Sequence, residues 1–283
     1  MIAATWMFSA TSPPSTALIP AKHIVSQSSA TGTQCLHAIG CAEAGLIYQA
    51  VTDIPDRSAQ FAADEVVYVS VGDGATSEGE FWESVNVACL RKLPVLFVVE
   101  DNGYAISVPV SAQTPGGSIS SLLSGFPHLK VINCDGTDAE ASYAAVADAA
   151  AWCRARSGPA LVHAKVIRPY SHSHSDDERW YKTAAERADE LTRDPLTKLS
   201  AVLLDRGWVT EQQLADIAAD VDREIEQAAD EALAAPKPLP STAADFVYSP
   251  TVDPTSAAFA TVPEPTGKPD TMVAAINRTL KDE

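Results

Sequence analysis

Val66-Val-Tyr-Val-Ser-Val-Gly-Asp-Gly-Ala-Thr-Ser-Glu-Gly-Glu-Phe-Trp-Glu-Ser84 is the stretch on which the fold turns. Val66 to Val71 is nearly continuous in apolar and β-branched residues, so it reads as a strand covered on both faces rather than one with a wet side. Gly72-Asp73-Gly74 ends it, and a helical pattern opens at about residue 78 and runs to 91. The same alternation continues outward. Val95-Leu-Phe-Val-Val99, Leu129-Lys-Val-Ile-Asn133 and Ala160-Leu-Val-His-Ala-Lys-Val-Ile167 read as strands, and residues 33 to 50 and 138 to 156 as helices. Strands alternating with helices require crossovers, hence an α/β fold of three layers with a parallel sheet flanked by helices. From Pro195 to Ala235 the chain reads as a C-terminal helical tail, with Leu199, Val202, Leu203, Leu214, Ile217, Val221 and Ile225 at helical spacing and a solvated acidic side.

The 283 residues suit one large domain or two modest ones. No window holds the roughly 18 uninterrupted apolar residues of a membrane helix, so no membrane span is expected. Thirty-seven acidic against 20 basic residues give a formal charge of −17, which repels nucleic-acid backbones. Cys35, Cys41, Cys89, Cys134 and Cys153 are odd in number and form no C-x-x-C pair, which fits a reducing cytoplasm. Residues 1–22 read as an irregular N-terminal segment without a secretory signal, and residues 236–269, with eight prolines, as a Pro-rich linker. In residues 270–283, Met272, Ile276 and Leu280 have helical spacing, as at the start of a further helix.

Ligands of open parallel sheets collect beyond the carboxyl ends of the strands, so the residues there carry the chemistry. After the first strand stands Asp73 between two glycines; after the second stand Asp101, Asn102, Gly103 and Tyr104. A carboxylate and an amide oxygen on neighbouring strand ends are hard ligands of the kind that hold magnesium shared with phosphates. Backbone amides after Gly72 and Gly74, and a helix start, favour the anion. A dinucleotide fingerprint is excluded because Ser77 stands where its third Gly belongs, and a P-loop because its Lys is absent. His172 and His174 lie in a polar loop after the last strand, where an imidazole can act as acid or base. Their spacing with Asp176 and Asp177 also admits a metal site. His23, His37, His128 and His163 show no partner pattern and read as structural or solvent-facing.

Gly72-Asp73-Gly74 followed after 26 residues by Asp101-Asn102 is similar to the thiamine diphosphate motif. With Asn102-Gly-Tyr-Ala-Ile-Ser107 and His172-Ser-His-Ser-Asp-Asp177, the chain over about residues 23–235 resembles alpha subunits of the decarboxylase component of 2-oxo acid dehydrogenases. That resemblance implies a diphosphate-side, thiamine diphosphate-binding domain over 23–235. It implies Mg²⁺ held by Asp73, Asn102 and the backbone carbonyl of Tyr104, and diphosphate contacts from the amides of Gly74 and Ala75. It also implies Ile106 against the aminopyrimidine and Ser29 and Thr31 near the cofactor, Thr31 standing where a bulkier apolar residue is usual. His172 is the implied catalytic residue, orienting a 2-oxo acid and assisting acyl transfer, and Ser173 resembles the serine phosphorylated in mitochondrial relatives. The implied activity is oxidative decarboxylation of a 2-oxo acid with reductive acylation of a lipoyl group on an acyltransferase core. A beta subunit, or a beta-like domain, completes the site and supplies the glutamate that activates the cofactor. Asp176-Asp177 leans toward branched-chain substrates over pyruvate.

The chain departs from the pattern at Asp101, where an Asn is usual and where added charge close to a diphosphate weakens binding unless the side chain points away. The part before residue 23 is shorter than in relatives, and residues 272–283 resemble the opening of a beta subunit, as in an alpha-beta fusion or a piece of one. Two other readings stand beside the enzyme: a truncated binding or remnant protein that keeps the fold without turnover, and a transketolase-like enzyme sharing only the cofactor motif.

Overall fold

The structure is a computed structural model describing residues 5–8, 24–25, 30–54, 62–244, 253, 255–260 and 270–282. Among these residues the main sheet has six strands: β1 (Thr5–Phe8), β2 (Ile24–Val25), β3 (Val66–Gly72), β4 (Val95–Asp101), β7 (Lys130–Asp135) and β8 (Ala160–Lys165). Their order is β2-β1-β3-β4-β8-β7, with β3, β4, β8 and β7 parallel and β1 antiparallel to β3. Two two-residue strands, β5 (Tyr104–Ala105) and β6 (Val108–Pro109), form a separate hairpin directly after β4. Within the segment read as irregular, Thr5–Phe8 thus adds an antiparallel strand beside the parallel core.

Side chains alternate across the sheet, and the alternation explains its two covered faces. Val67, Val69, Val71, Val95, Phe97, Val99 and Leu161 point to one side. There they meet α1 (Thr33–Ala50) and α2 (Gly79–Arg91), which bury Cys35, Ala38 and Ala42, and Phe81, Val85 and Ala88. Small residues on α1 let it lie close to the strands. Phe81 of α2 meets Phe97 of β4 edge to face, with ring centroids 6.1 Å apart. The opposite side carries Val66, Leu96, Val98, Ala160 and Val162 against Ala145, Ala149 and Cys153. These last three belong to α5 (Ala139–Arg154), whose first turn is capped by the Asp138 carboxylate accepting from Glu140 and Ala141 N–H. Two further short helices, α3 (Val110–Gln113) and α4 (Ile119–Leu123), precede β7. Three layers around a mostly parallel sheet result.

After β8 come α6 (Ala184–Thr192), α7 (Pro195–Asp205) and α8 (Glu211–Ala234). The helical tail expected over 195–235 is broken after Asp205, where Gly207 adopts φ +65°. The chain divides into two compact units, 1–215 and 216–283. In the second, α9 (Met272–Asp282) confirms the helix read from Met272, Ile276 and Leu280. The segment read as a Pro-rich linker contains single helical turns at Pro240–Ala244 and Ala257–Phe259, and its residues 245–252, 254 and 261–269 lie outside the described residues. No described helix is long and apolar enough to cross a membrane. All five cysteines are free.

Candidate functional site

Parallel pairing of β3 with β4, in register from Val67↔Val95 to Gly72↔Glu100, brings the two motif-bearing strand ends side by side. Asp73 follows β3 directly and is only 2% exposed. Its Oδ2 accepts a 2.7 Å hydrogen bond from Gln113 Nε2, while its Oδ1 is buried without any hydrogen-bond partner. Burial, then the charge of Asp101, push its carboxyl above the ordinary value, partly offset by hydrogen bonds that include the one from Gln113. An orphaned, desolvated carboxylate oxygen of this kind is suited to receive a cation. Gln113, at the end of α3, was missed in the sequence because nothing local marks it: only the fold carries it back to Asp73.

Gly74 to Ser77 forms a single helical turn, and the opening amides of such a turn, those of Gly74 and Ala75, have no acceptor within it. The turn is separate from α2, whose first turn carries Glu80 after the Glu78 cap, so the amides suited to an anion are those of the turn and not of the long helix. Gly74 is required for a second reason. A Cβ there would lie 2.5 Å from Ala105 Cβ and 3.2 Å from Ala105 Cα, so the β5–β6 hairpin sits where only glycine fits. Gly74→Ala should force the hairpin outward, costing about 1–3 kcal/mol in thermal unfolding as overpacking does; an unchanged melting temperature would mean that the hairpin is not held against this turn.

At the end of β4, two successive side-chain turns shape the loop. Asp101 Oδ1 accepts from Gly103 N–H at 2.9 Å, and Asn102 Oδ1 accepts from Tyr104 N–H at 3.1 Å, with Gly103 at φ +85°. The Asn102 oxygen keeps a second lone pair. Asp73, Asn102 and the Tyr104 carbonyl form a hard donor set that suits magnesium completed by phosphate oxygens. The described residues contain no group of three or more His, Cys, Asp or Glu arranged for a metal, so nothing supports the His172/His174/Asp176/Asp177 metal alternative.

Ile106 tips the hairpin at φ +55°, a conformation costly for a β-branched side chain, by about 1–3 kcal/mol. The residue is 53% exposed, and its carbonyl accepts from Arg168 Nη1 at 2.9 Å. The strained tip thus holds an exposed apolar side chain at the position where the resemblance puts the aminopyrimidine.

Asp101 does bring its charge close enough to raise Asp73, but its own oxygens are committed elsewhere. Its Oδ2 accepts from His163 Nε2 at 2.7 Å and from Lys165 Nζ, and its side chain is buried. Burial alone would raise its carboxyl, but the His163 and Lys165 hydrogen bonds win and lower it to about 2. His163 is therefore no bystander, and its Nδ1 meets Ser120 Oγ at 2.8 Å. The signal was the alternation of β8, which puts His163 on the buried face with Leu161, where an imidazole must find partners, and brings Lys165 to the exposed end of the same row.

The loop from β8 to α6 carries His172. Its imidazole is exposed, and its backbone N–H donates to Asp176 Oδ2 at 2.9 Å. Asp176 also accepts from Tyr181 OH, which in turn receives Arg168 Nη2 at 2.6 Å. Arg168 lies over the rings of Tyr104 and Tyr181, and buried Lys182 pairs with Glu190 at 2.6 Å and donates to the Arg168 carbonyl. Through Arg168 the His172 loop is thus tied to Ile106 and Tyr104. Asp177, by contrast, caps the turn Glu178–Trp180 and pairs with Arg179, so the acid pair shapes the loop. Ser173 is exposed, its hydroxyl 3.3 Å from Ser175 Oγ. Thr31 is exposed just before α1, beside Gly32, where a Cβ would come within 3.0 Å of Glu78 Cβ. Ser29 lies outside the described residues. The structure therefore gathers Asp73, Gly74, Ala75, Asn102, Tyr104 and Ile106, and ties the His172 loop to them.

A family model described as "Dehydrogenase E1 component" matches residues 15–241. The chain is 32% identical over 226 residues to the 2-oxoisovalerate dehydrogenase subunit alpha of Bacillus subtilis (strain 168), covering 80% of this chain and 64% of that one. It is 38% identical over 176 residues to the 3-methyl-2-oxobutanoate dehydrogenase subunit alpha of Mycobacterium tuberculosis (strain CDC 1551 / Oshkosh), covering 62% and 44%. Over 176 residues it is 34% identical to the pyruvate dehydrogenase E1 component subunit alpha of Mycoplasma pneumoniae, covering 62% and 48%. The chain thus spans 44–64% of the length of these relatives.

Proposed function

The chain belongs to the dehydrogenase E1 component family, and from that premise we propose that it is the alpha part of a thiamine diphosphate-dependent 2-oxo acid dehydrogenase. The observation that carries the reading is Asp73, whose buried Oδ1 lacks a partner one strand away from the Asn102 amide. Asp73, Asn102 and the Tyr104 carbonyl hold Mg²⁺, the Gly74 and Ala75 amides receive the diphosphate, and Ile106 supports the aminopyrimidine. Ser29 and Thr31 belong to the cofactor side of the same site. When bound, the cofactor supplies the nucleophilic carbon and electron sink for decarboxylation.

His172 orients the 2-oxo acid and holds or delivers a proton as the acyl group passes to a lipoyl group on a partner acyltransferase. Its place in a loop braced by Arg168, Tyr181 and Asp176 supports that role. Branched-chain 2-oxo acids are the preferred substrates over pyruvate, a reading supported by the names of two of the relatives and moderated by the third. A beta subunit or beta-like domain supplies the other half of the site, and the working compartment is the cytoplasm.

The chain alone should therefore reduce no dye acceptor with 3-methyl-2-oxobutanoate or pyruvate, whereas the chain assembled with a beta-type partner should do so, faster with the branched substrate. Turnover by the chain alone would remove the partner from the account. Failure of the assembled pair to turn over, with cofactor bound, would favour a fold-keeping remnant.

A further inference from the structure

Beneath the site lies a polar cluster that no motif announced: Asp101 at the end of β4, His163 and Lys165 on β8, and Ser120 on α4. Parallel register sets Asp101 opposite Lys165 and Val99 opposite His163, and since all four point to the same face, the carboxylate lies between the two basic side chains. Ser120 Oγ, His163 and Asp101 follow the donor order of a hydrolytic triad. However, Ser120 is 5% and His163 1% exposed, so no substrate reaches them, and Lys165 shares the carboxylate. The cluster does something other than nucleophilic chemistry.

Both oxygens of Asp101 are used. Oδ1 takes the Gly103 N–H that bends the chain, and Oδ2 takes His163 Nε2 and Lys165 Nζ. In addition, the Asp101 carbonyl accepts from Val166 N–H at 2.9 Å, tying the end of β4 to the chain leaving β8. The next residue is Asn102. We propose that His163 and Lys165 are positioning residues for the cation site: by anchoring one oxygen of Asp101 they leave the other to fix the turn that aims the Asn102 amide and the Tyr104 carbonyl. This rests on the functional reading above, because it assigns these residues to the cation that reading places there.

The donor count makes the idea testable. An amide has one acceptor oxygen where Asp101 uses two, so Asp101→Asn must either set its NH₂ against Lys165 and His163 or turn it toward the Gly103 N–H. One end of the anchor is lost in either case. Adding Lys165→Met removes the obstructing ammonium. His163 can then exchange tautomers, accepting the introduced NH₂ at Nε2 and donating from Nδ1 to Ser120 Oγ, which frees the amide oxygen for Gly103. The double variant should therefore recover what the single one loses, since Lys165→Met also removes the positive charge that Asp101→Asn leaves without its partner.

Calorimetric titration of thiamine diphosphate with Mg²⁺ into the full chain should show Asp101→Asn weakened by about 10- to 100-fold, the effect of losing a support behind a ligand. The Asp101→Asn/Lys165→Met chain should return most of the way to the parent. Circular dichroism should show all three folded. Backbone amide exchange gives a readout without cofactor: the Gly103 amide should be protected in the parent, exposed in the single variant and protected again in the double. Equal affinity and equal Gly103 protection in parent and Asp101→Asn, or a double variant as impaired as the single, would overturn the inference. A parent chain that binds no cofactor would instead sink the functional reading, and Gly103 exchange would then decide the positioning claim by the same pattern.

Discussion

Replacing Asp73 by asparagine should raise the melting temperature of the unliganded chain while removing its magnesium-dependent affinity for thiamine diphosphate. The two effects have one cause. Burial first, and the nearby charge of Asp101 second, raise the Asp73 carboxyl above its ordinary value. A carboxyl whose value is raised by folding stabilises the fold when protonated, and that contribution is lost as pH rises through the raised value. At neutral pH the ionised Asp73 is therefore a cost to the empty fold, carried because a cation would repay it.

Asparagine keeps the shape, still accepts from Gln113 Nε2, and carries no charge. Each ~1 kcal/mol recovered corresponds to about 2–4 °C for a domain of this size. The stabilisation should shrink as pH is lowered toward the Asp73 transition, because the parent then neutralises the same group itself. Cofactor affinity in Mg²⁺ should fall by more than about 100-fold, beyond the usual effect of changing a residue that only supports a ligand. Scanning calorimetry across pH checks the first part and titration the second. A variant that is destabilised, or that binds with unchanged affinity, removes Asp73 from the cation site.

His172→Ala should leave cofactor affinity nearly intact and slow acyl transfer to a lipoyl domain by about 10²–10⁴-fold, the range for a positioned acid or base. What His172 contributes to its loop is its backbone N–H to Asp176, and truncation at Cβ leaves that bond in place. The loop's other anchors, Arg168 to Ile106 and Lys182 to Glu190, do not involve the imidazole. Loss of transfer would therefore report chemistry and not disorder. The measurement is single-turnover acylation of a lipoyl domain by the chain assembled with its beta-type partner, beside a cofactor titration of the same protein. Normal transfer would refute the role of His172.

The architecture was legible where burial imposes an unbroken apolar signal. β3, β4 and β8 are covered on both faces, so Val66–Val71, Val95–Val99 and Ala160–Val162 announce themselves, and the helices between them show the longer period. Strand order was not legible, because β8 inserts between β4 and β7 for reasons of packing that no local pattern records. The β5–β6 hairpin is two residues per strand, too short for any periodicity, yet it is what makes Gly74 obligatory.

The site divides in the same way. Asp73, Asn102, Tyr104 and His172 stand out because chemistry-bearing residues follow strands and match a known pattern. Gln113, His163, Lys165 and Arg168 act from a distance in sequence and become visible only once register is known. Asp101 is the instructive residue. Read along the chain it is an extra negative charge beside a diphosphate; read across the sheet it is also an anchor beneath the turn, paired with His163 and Lys165.

The central claim is that these strand ends form the cation and diphosphate half of a cofactor site. Calorimetric titration of thiamine diphosphate into the intact chain, with and without Mg²⁺, tests it most directly. Saturable binding that disappears when the metal is withheld is the predicted result; no saturable binding with Mg²⁺ present, or equal binding without it, would contradict the account.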